Sequence, residues 1–317
     1  MSDILTVAEH RRGGLRDVSF ELISAGRELA NETGGSLHVA VIGGSVDDFA
    51  DTLNREGVDT IHTVDEGDEF NHNVYTQAVE QLYAELSPQY LVTPQTVNAM
   101  DYVPAVATEL DVPFTTDVTD FEYDDGLTIT REFYGGKTEG TVEMLGDDGV
   151  ITIRPAEWPQ TEAAGSATVE AADVDIDESA IRSTVNGFEE VAGGDVDISE
   201  AEFIVAIGRG IDEKENLDLI EELAETLDAT LAASRPLVDS GWLPKNRQVG
   251  QSGKVVTPEV YIAIGISGAV QHVAGMKGSD TIIAINDDPS APIFDIADYG
   301  IVDDLFEVVP ELTEQFS

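Results

Sequence analysis

A chain of 317 residues carries 63 acidic against 16 basic residues, a formal net charge of -47 at pH 7, with 42% hydrophobic residues and no cysteine. That length and hydrophobic content suit two domains with a core each and exclude a disordered chain, while the charge leaves no basic face for a nucleic-acid backbone. Without cysteine there are no disulfides, thiolate metal sites, cysteine-ligated iron–sulfur clusters or cysteine-linked cofactors.

The acidity, with only five lysines, fits a protein adapted to concentrated salt, where screening over a few ångströms removes most self-repulsion. The opening MSDILTVAEHRRGG lacks a basic segment followed by a long apolar run, so no signal peptide is expected. No apolar run approaches the roughly 20 residues that span a bilayer, and a soluble, cytoplasmic protein without membrane insertion is predicted.

The first predicted domain covers residues 1–195. It opens with a buried strand at 4–8. Residues 16–30 then set Val18, Leu22, Ala25 and Leu29 at helical spacing, and Gly34-Gly35 stops that helix. Strands at 37–42, 60–64 and 90–93 alternate with helices at 46–53, 74–86 and 99–110. Such alternation implies a mostly parallel sheet covered on both faces. After Pro113, shorter strands at 121–123, 127–134, 140–144 and 150–154, joined by Asp-Gly turns, are expected to extend the sheet in antiparallel fashion. Arg131 and Arg154 read as paired surface arginines, against the sharper alternative that they face a partner or a cofactor. His10, beside Arg11 and Arg12, sits where a parallel sheet presents its ligand-facing edge, yet its type favours a structural role. His38, His62 and His72 lack metal-ligand spacing, and the many acids show no EF-hand spacing. Residues 157–202 read as a surface connection, with Ala192-Gly193-Gly194 near the boundary.

The second predicted domain covers residues 196–317. A strand at 203–207 runs into Gly208-Arg209-Gly210, and a helix is expected at 213–227. A strand, a glycine turn and a helix N-terminus can cradle an anion, though this turn is short of the full GxGxxG pattern. A strand at 230–233 ends at Ser234-Arg235. The polar loop Gln248-Val249-Gly250-Gln251-Ser252-Gly253-Lys254 follows. A strand at 261–266 leads to Ser267, expected to N-cap a helix at 269–276 that carries Gln271 and His272. A strand at 281–285 ends at Asn286, and a last helix at 302–309 is expected to be interrupted by Pro310.

Residues 229–279 form an island in this charge pattern. They hold two acids, Asp239 and Glu259, against five bases, Arg235, Lys245, Arg247, Lys254 and Lys277. Arg209, Ser234, Ser267 and Asn286 each fall just after a strand's carboxyl end, where open α/β sheets bind ligands. Helix capping accounts for each polar residue singly. It accounts less well for bases and amides gathering where acids are absent, which points to an anionic ligand.

The runs GRGIDEKEN, ASRPLVDSGW, VGQSGKVVTPEVYIAIGISGAVQHVAGMK and IIAINDDPSAPIFDIADYGIVDDLFEVVPELT make residues 204–315 resemble the flavin domain of electron transfer flavoprotein alpha subunits, the FixB-like family. The first domain resembles the family more weakly, through its opening strand with AEH and its layout. The resemblance implies a two-domain α/β fold, with an N-terminal mostly parallel sheet carrying added antiparallel strands and a C-terminal doubly wound FAD-binding domain. It implies an FAD electron carrier working as a heterodimer with a beta subunit, against which the first domain packs. Electrons would come from flavin dehydrogenases, such as those acting on acyl-CoA in beta-oxidation, and pass transiently to a membrane quinone oxidoreductase.

Carried onto this sequence, the family's site places Arg209 and Ser234 on FAD-binding turns and Arg235 near the isoalloxazine ring. Gln248, Val249, Gly250, Gln251 and Ser252 contact the flavin. Ser267, Gly268, Ala269, Val270, Gln271 and His272 wrap the cofactor, and Asn286, Asp304 and Leu305 reach its adenosine half. Arg235, His272 and Ser252 would tune the flavin, because a fixed cation and hydrogen-bond donors stabilise charge gained on reduction. Ser252 departs from the Thr of many relatives, keeping the hydroxyl and losing the methyl. The family also implies a swivelling flavin domain, with residues 190–202 as hinge. Three alternatives stand beside the carrier: a bifurcating flavoprotein alpha subunit, a nicotinamide-dependent oxidoreductase, and a nucleotide-binding sensor without redox chemistry.

Overall fold

The structure is a computed structural model that describes residues 2–134, 136, 138–187 and 198–316. It holds two compact units, residues 2–133 with 139–187, and residues 134, 136 and 138 with 198–316. The expected boundary at 195/196, the Ala192-Gly193-Gly194 run and most of the expected hinge fall on 188–197, outside the described residues.

In the first unit, β1 (Ile4–Val7) is followed by a small hairpin, β2 (His10–Arg11) and β3 (Gly14–Leu15). Then come α1 (Val18–Thr33), β4 (Leu37–Ile42), α2 (Val46–Leu53), β5 (Thr60–Val64), α3 (His72–Leu86), β6 (Tyr90–Pro94) and α4 (Val97–Leu110). The chain continues through β7 (Phe114–Tyr123), β8 (Leu127–Phe133), β9 (Thr138–Glu143), β10 (Gly149–Ile153) and β11 (Thr168–Ala171). The sheet order is β11-β5-β4-β1-β6-β10-β7-β8-β9. Successive strand residues point to opposite faces, so two cores form. Ile4, Val39, Ile61 and Val92 pack with α1 and α2 residues such as Leu22 and Phe49. Leu5, Ala40, Val64 and Leu91 pack with Val79 of α3 and Val103 of α4.

The alternation of strands and helices up to residue 110 matches the sequence reading closely. Two expectations beyond it are corrected. β10 does not extend the sheet in antiparallel fashion: it is buried along its whole length and pairs parallel with β6 and with β7. Its run GVITI has no polar alternation, which marks a strand covered on both faces. The β7–β8 pair shows the expected antiparallel register. The stretch after Glu157 is more than a surface connection, since β11 adds an exposed parallel edge beside β5. Arg154 is buried rather than a surface residue, and takes Asp117 bidentately (2.9 and 2.7 Å) with Glu132 3.0 Å away. His10 is structural: its Nε2 lies 2.7 Å from the Ile42 carbonyl, and its ring stacks on Phe49.

The second unit contains β12 (Phe203–Ile207), α5 (Leu217–Thr226), β13 (Thr230–Ser234), α6 (Arg235–Asp239), β14 (Gln248–Val249) and β15 (Val260–Ile264). They are followed by α7 (Val270–Val273), β16 (Thr281–Asn286), β17 (Tyr299–Val302) and α8 (Leu305–Phe316). Among the described residues its strands pair in parallel, in the order β14-β13-β12-β15-β16-β17. One face packs on α5 and α8 through residues such as Ile207, Ile264, Leu223 and Val309, and the other on Met276 and Ile293. The last helix departs from expectation. Val302 belongs to β17, and α8 runs through Pro310 to Phe316. Pro310 is exposed, so the helix carbonyl it leaves without an N–H partner can meet water.

Candidate cofactor site

In the second sheet, β13 and β14 lie on one side of β12, while β15, β16 and β17 lie on the other. The strand order therefore reverses between β12 and β15. In an open parallel sheet, a crevice forms beyond the carboxyl ends of the strands at such a point. Glycines shape it here. A Cβ on Gly208 would lie 2.2 Å from the Gly265 carbonyl oxygen, and Gly265 itself sits at φ 61°. The two strand ends approach so closely that no side chain fits between them.

A cavity of about 640 Å³ opens at this place, within the usual range for small-molecule sites. Thirteen of the sequence-predicted residues line it: Arg209, Ser234, Arg235, Gln248, Val249, Gly250, Gln251, Ser252, Ser267, Ala269, Gln271, His272 and Asn286. Gly208 and Gly210, singled out in the sequence as a glycine turn, complete the wall with Pro236, Gly265 and Ile266, which were missed as site residues; the strand-end Gly265 was the available signal. Four predicted residues do not line it. Gly268, at φ 84°, packs against the Ile293 backbone. Val270 is half-exposed on α7. Asp304 is exposed and accepts the Phe306 N–H at 2.9 Å, and Leu305 is buried among α5 and α8 residues.

The wall contains two arginines and no carboxylate. Lys245, Arg247, Lys254 and Lys277 of the low-acid island do not line it, so the island marks the site by its shortage of acids more than by its bases. Arg247 instead braces the sheet, donating to the Leu231 carbonyl at 2.7 Å. Arg235 opens α6 with a well-exposed side chain that pairs with Asp239 at 3.1 Å.

The turn after β12 corrects the expected anion cradle. Arg209–Ile211 form a 3-10 turn, Asp212 takes φ 63°, and α5 starts only at Leu217. The helix N-terminus is therefore displaced from the glycine turn, leaving charge at that edge to Arg209. Ser267 does not cap α7, whose preceding residue is Ala269 with no side-chain cap; its carbonyl accepts from Ile293 N–H at 3.1 Å.

The polar loop is tightly tied. Gly250 takes φ 133°, and a Cβ there would lie 2.7 Å from the Gln271 carbonyl oxygen. Gln251 N–H donates to that same carbonyl at 2.7 Å, locking the loop onto the α7 segment. Gln248 is buried, and its Nε2 donates to Ser252 Oγ at 3.0 Å. Asn286 donates to the Ile266 carbonyl at 2.8 Å and accepts from Asp288 N–H at 2.9 Å, fixing the floor.

His272 is buried, and burial lowers its imidazole to about 4, only partly offset by the Val249 carbonyl. Its Nδ1 is buried without a well-formed hydrogen bond. A buried neutral imidazole, glycines where a Cβ would collide, and two guanidinium groups in a wall without carboxylates fit an extended anionic ligand with ring carbonyls, as FAD is. The first unit offers a contrast. Its sheet reverses order between β1 and β6, and there the buried Glu9 carboxylate binds Arg16 (2.9 Å), Thr96 (2.6 Å) and Asn98 (3.3 Å), which opposes a phosphate.

Two family models match the chain. The electron transfer flavoprotein domain matches residues 4–177, and the electron transfer flavoprotein FAD-binding domain matches residues 197–277. Among curated relatives, an electron transfer flavoprotein subunit alpha from Methylophilus methylotrophus is 44% identical over 322 residues, covering 100% of both chains. Another from Bacillus subtilis is 38% identical, covering 99% of this chain and 97% of that one. A protein FixB from Clostridium saccharobutylicum is 40% identical, covering 97% and 94%.

Proposed function

The chain belongs to the electron transfer flavoprotein alpha-subunit family and carries its FAD-binding domain, and from that premise we propose that it is an electron carrier rather than an enzyme with its own substrate. FAD, when bound, supplies one- and two-electron redox chemistry. The chain's residues bind and bias it. Arg209 balances the pyrophosphate charge, and the Gly250 loop lets the backbone approach the ring. Arg235, Ser252 and His272 set the polarity around the flavin. Ser234 and Asn286 line the nucleotide end, and Ser267, Ala269 and Gln271 wrap it. The observation that carries this reading is the switch-point cavity walled by two arginines and no carboxylate, in a protein of net charge -47.

The working unit is a heterodimer with a beta subunit, packed through residues 1–195, while residues 196–317 hold FAD. It takes electrons from flavin dehydrogenases, such as those acting on acyl-CoA, and passes them to a membrane quinone oxidoreductase. Among the described residues no helix is long and apolar enough to cross a membrane, which suits a carrier that meets its membrane acceptor transiently in the cytoplasm. The acidic surface suits a salt-rich source.

Purification of the co-expressed heterodimer tests this. A yellow protein that releases FAD on denaturation, and is bleached by an acyl-CoA dehydrogenase with its substrate, supports the carrier. A colourless protein that binds NAD or ATP overturns it. The FAD-to-AMP ratio separates a simple carrier, with AMP on the beta subunit, from a bifurcating flavoprotein with a second FAD.

A further inference from the structure

Tyr261 lies on β15 with no exposed surface, in the core that contains Met276 and Ile293. It lines no part of the cavity. Its hydroxyl is 3.0 Å from Nε2 of His272, whose ring does line it. Either group can donate in such a pair, and the surroundings decide which. Burial pushes the phenol well above its ordinary range and the imidazole down to about 4, so both are neutral near pH 7. If Nε2 carried the proton, the phenol hydrogen would be stranded in an apolar core without an acceptor. With the phenol donating, a bare Nε2 accepts it, and the imidazole proton must sit on Nδ1. The Val249 carbonyl favours a proton on the imidazole, and with Nε2 taken by Tyr261 that proton falls to Nδ1, which is itself buried.

We infer that Tyr261 is a positioning residue: its hydroxyl donates to His272 Nε2, holds the ring in the Nδ1–H tautomer, and so fixes an uncharged imidazole in the cavity wall. This rests on the reading of the cavity as the FAD site, where the fixed ring borders the flavin. Tyr261 is held by the strand and His272 by α7, so the ring is set before the ligand arrives.

Selective ¹⁵N-histidine labelling of the heterodimer reads the tautomer directly, with His272→Asn used to assign the resonance. The expected spectrum places the proton on Nδ1. Tyr261→Phe removes only the hydroxyl; it is expected to move the population toward Nε2–H and to shift the bound flavin's midpoint potential to a lower value. A proton on Nε2 in the parent, a tautomer untouched by Tyr261→Phe, or an unchanged potential each overturns the inference. Should the variant fail to assemble, the parent spectrum alone decides the tautomer. That spectrum can also be taken on flavin-stripped protein. A heterodimer that never binds flavin thus overturns the proposed function, whereas Nε2–H in a flavin-loaded parent overturns only the role of Tyr261.

Discussion

Gln248 Nε2 donates to the Ser252 hydroxyl across 3.0 Å, joining a buried side chain to an exposed one over the cavity's polar loop. The bond occupies a lone pair on the serine oxygen, which leaves the hydroxyl hydrogen free to point elsewhere. Ser252→Ala removes that donor, and Gln248→Met removes the group that orients it. Each is expected to weaken FAD binding about tenfold, since a hydrogen bond of this kind contributes about 0.5–1.5 kcal/mol. Ser252→Thr should keep the affinity. Flavin fluorescence titration of the stripped heterodimer measures all three, and parental affinity in Ser252→Ala would show that the hydroxyl does not serve the flavin.

Arg235 is well exposed and pairs with Asp239 at 3.1 Å. An exposed pair of this kind holds little stability, so Arg235→Ala should leave the unfolding midpoint within about 0.5 kcal/mol of the parent. The same change should lower the flavin's reduction potential, because it removes a cation from the cavity wall. Spectroelectrochemistry beside thermal unfolding checks both. A destabilised protein with an unaltered potential would make Arg235 a structural residue.

Glu21 is buried on α1 and accepts the Ala156 N–H at 2.7 Å. Burial pushes its carboxyl from 4.5 to about 7, with Asp17 and Glu157 adding to the rise and the Ala156 bond opposing it. Below about pH 4.5 both folded and unfolded forms hold the proton, and the full stability is present. Between about 4.5 and about 7 the unfolded chain ionises first and stability is lost; above that window the loss is complete. Glu21→Gln cannot ionise. Relative to the parent it should gain stability from pH 5.5 to pH 8, by an amount on the order of 1–3 kcal/mol. Urea midpoints in concentrated salt at those two pH values measure it, and an equal parent–variant difference at both would contradict it.

The alternating half of the fold was legible because its strands are short apolar runs, β4 stopping at Gly43 and β6 at Pro94, and each helix carries a clear apolar stripe. β10 was not, because GVITI looks alike whether its neighbours run parallel or antiparallel, and pairing is decided by distant residues. Val302 and Pro310 misled the reading of the C-terminus. A β-branched residue at an exposed edge and a proline facing water both follow local signals that packing against β16 and α5 overrides. In the site, lining residues were found where a side chain's type announces chemistry. Tyr261 was read only as part of a strand, since a tyrosine in an apolar run gives no hint of the histidine 11 positions later that it bonds.

A formal charge of -47 over two compact units concentrates like charges at the surface. The Debye length is about 10 Å at 0.1 M salt and about 3 Å at 1 M, so only concentrated salt screens neighbouring carboxylates from each other. The melting temperature should therefore fall steeply on dialysis from about 2 M to about 0.1 M KCl, a range that spans those two screening lengths. A melting temperature independent of salt would remove the case for salt adaptation.

Gly250 is the position where backbone geometry and site shape are most tightly coupled. Its φ of 133° is one that side chains rarely adopt, and a Cβ would lie 2.7 Å from the Gln271 carbonyl oxygen. From the other side Gly275 closes in, since a Cβ on it would lie 2.4 Å from Gly250 Cα. Neither neighbour is a flexible side chain that could swing away. Gly250→Ala must therefore either rebuild the loop or push α7 outward, and each breaks the Gln251–Gln271 bond that ties the two together. The cost should reach about 1–3 kcal/mol from strain at the backbone. Because the loop and α7 carry Ser252 and His272 respectively, flavin loading should fall more than overall stability does. Gly241→Ala is the control: its φ is 71°, but a Cβ there meets nothing within 4 Å and the residue lines no part of the cavity. Measured flavin content per heterodimer, set beside urea midpoints, should show full loading in the control and a large loss in Gly250→Ala. Full loading in both would mean that the loop's backbone does not approach the cofactor.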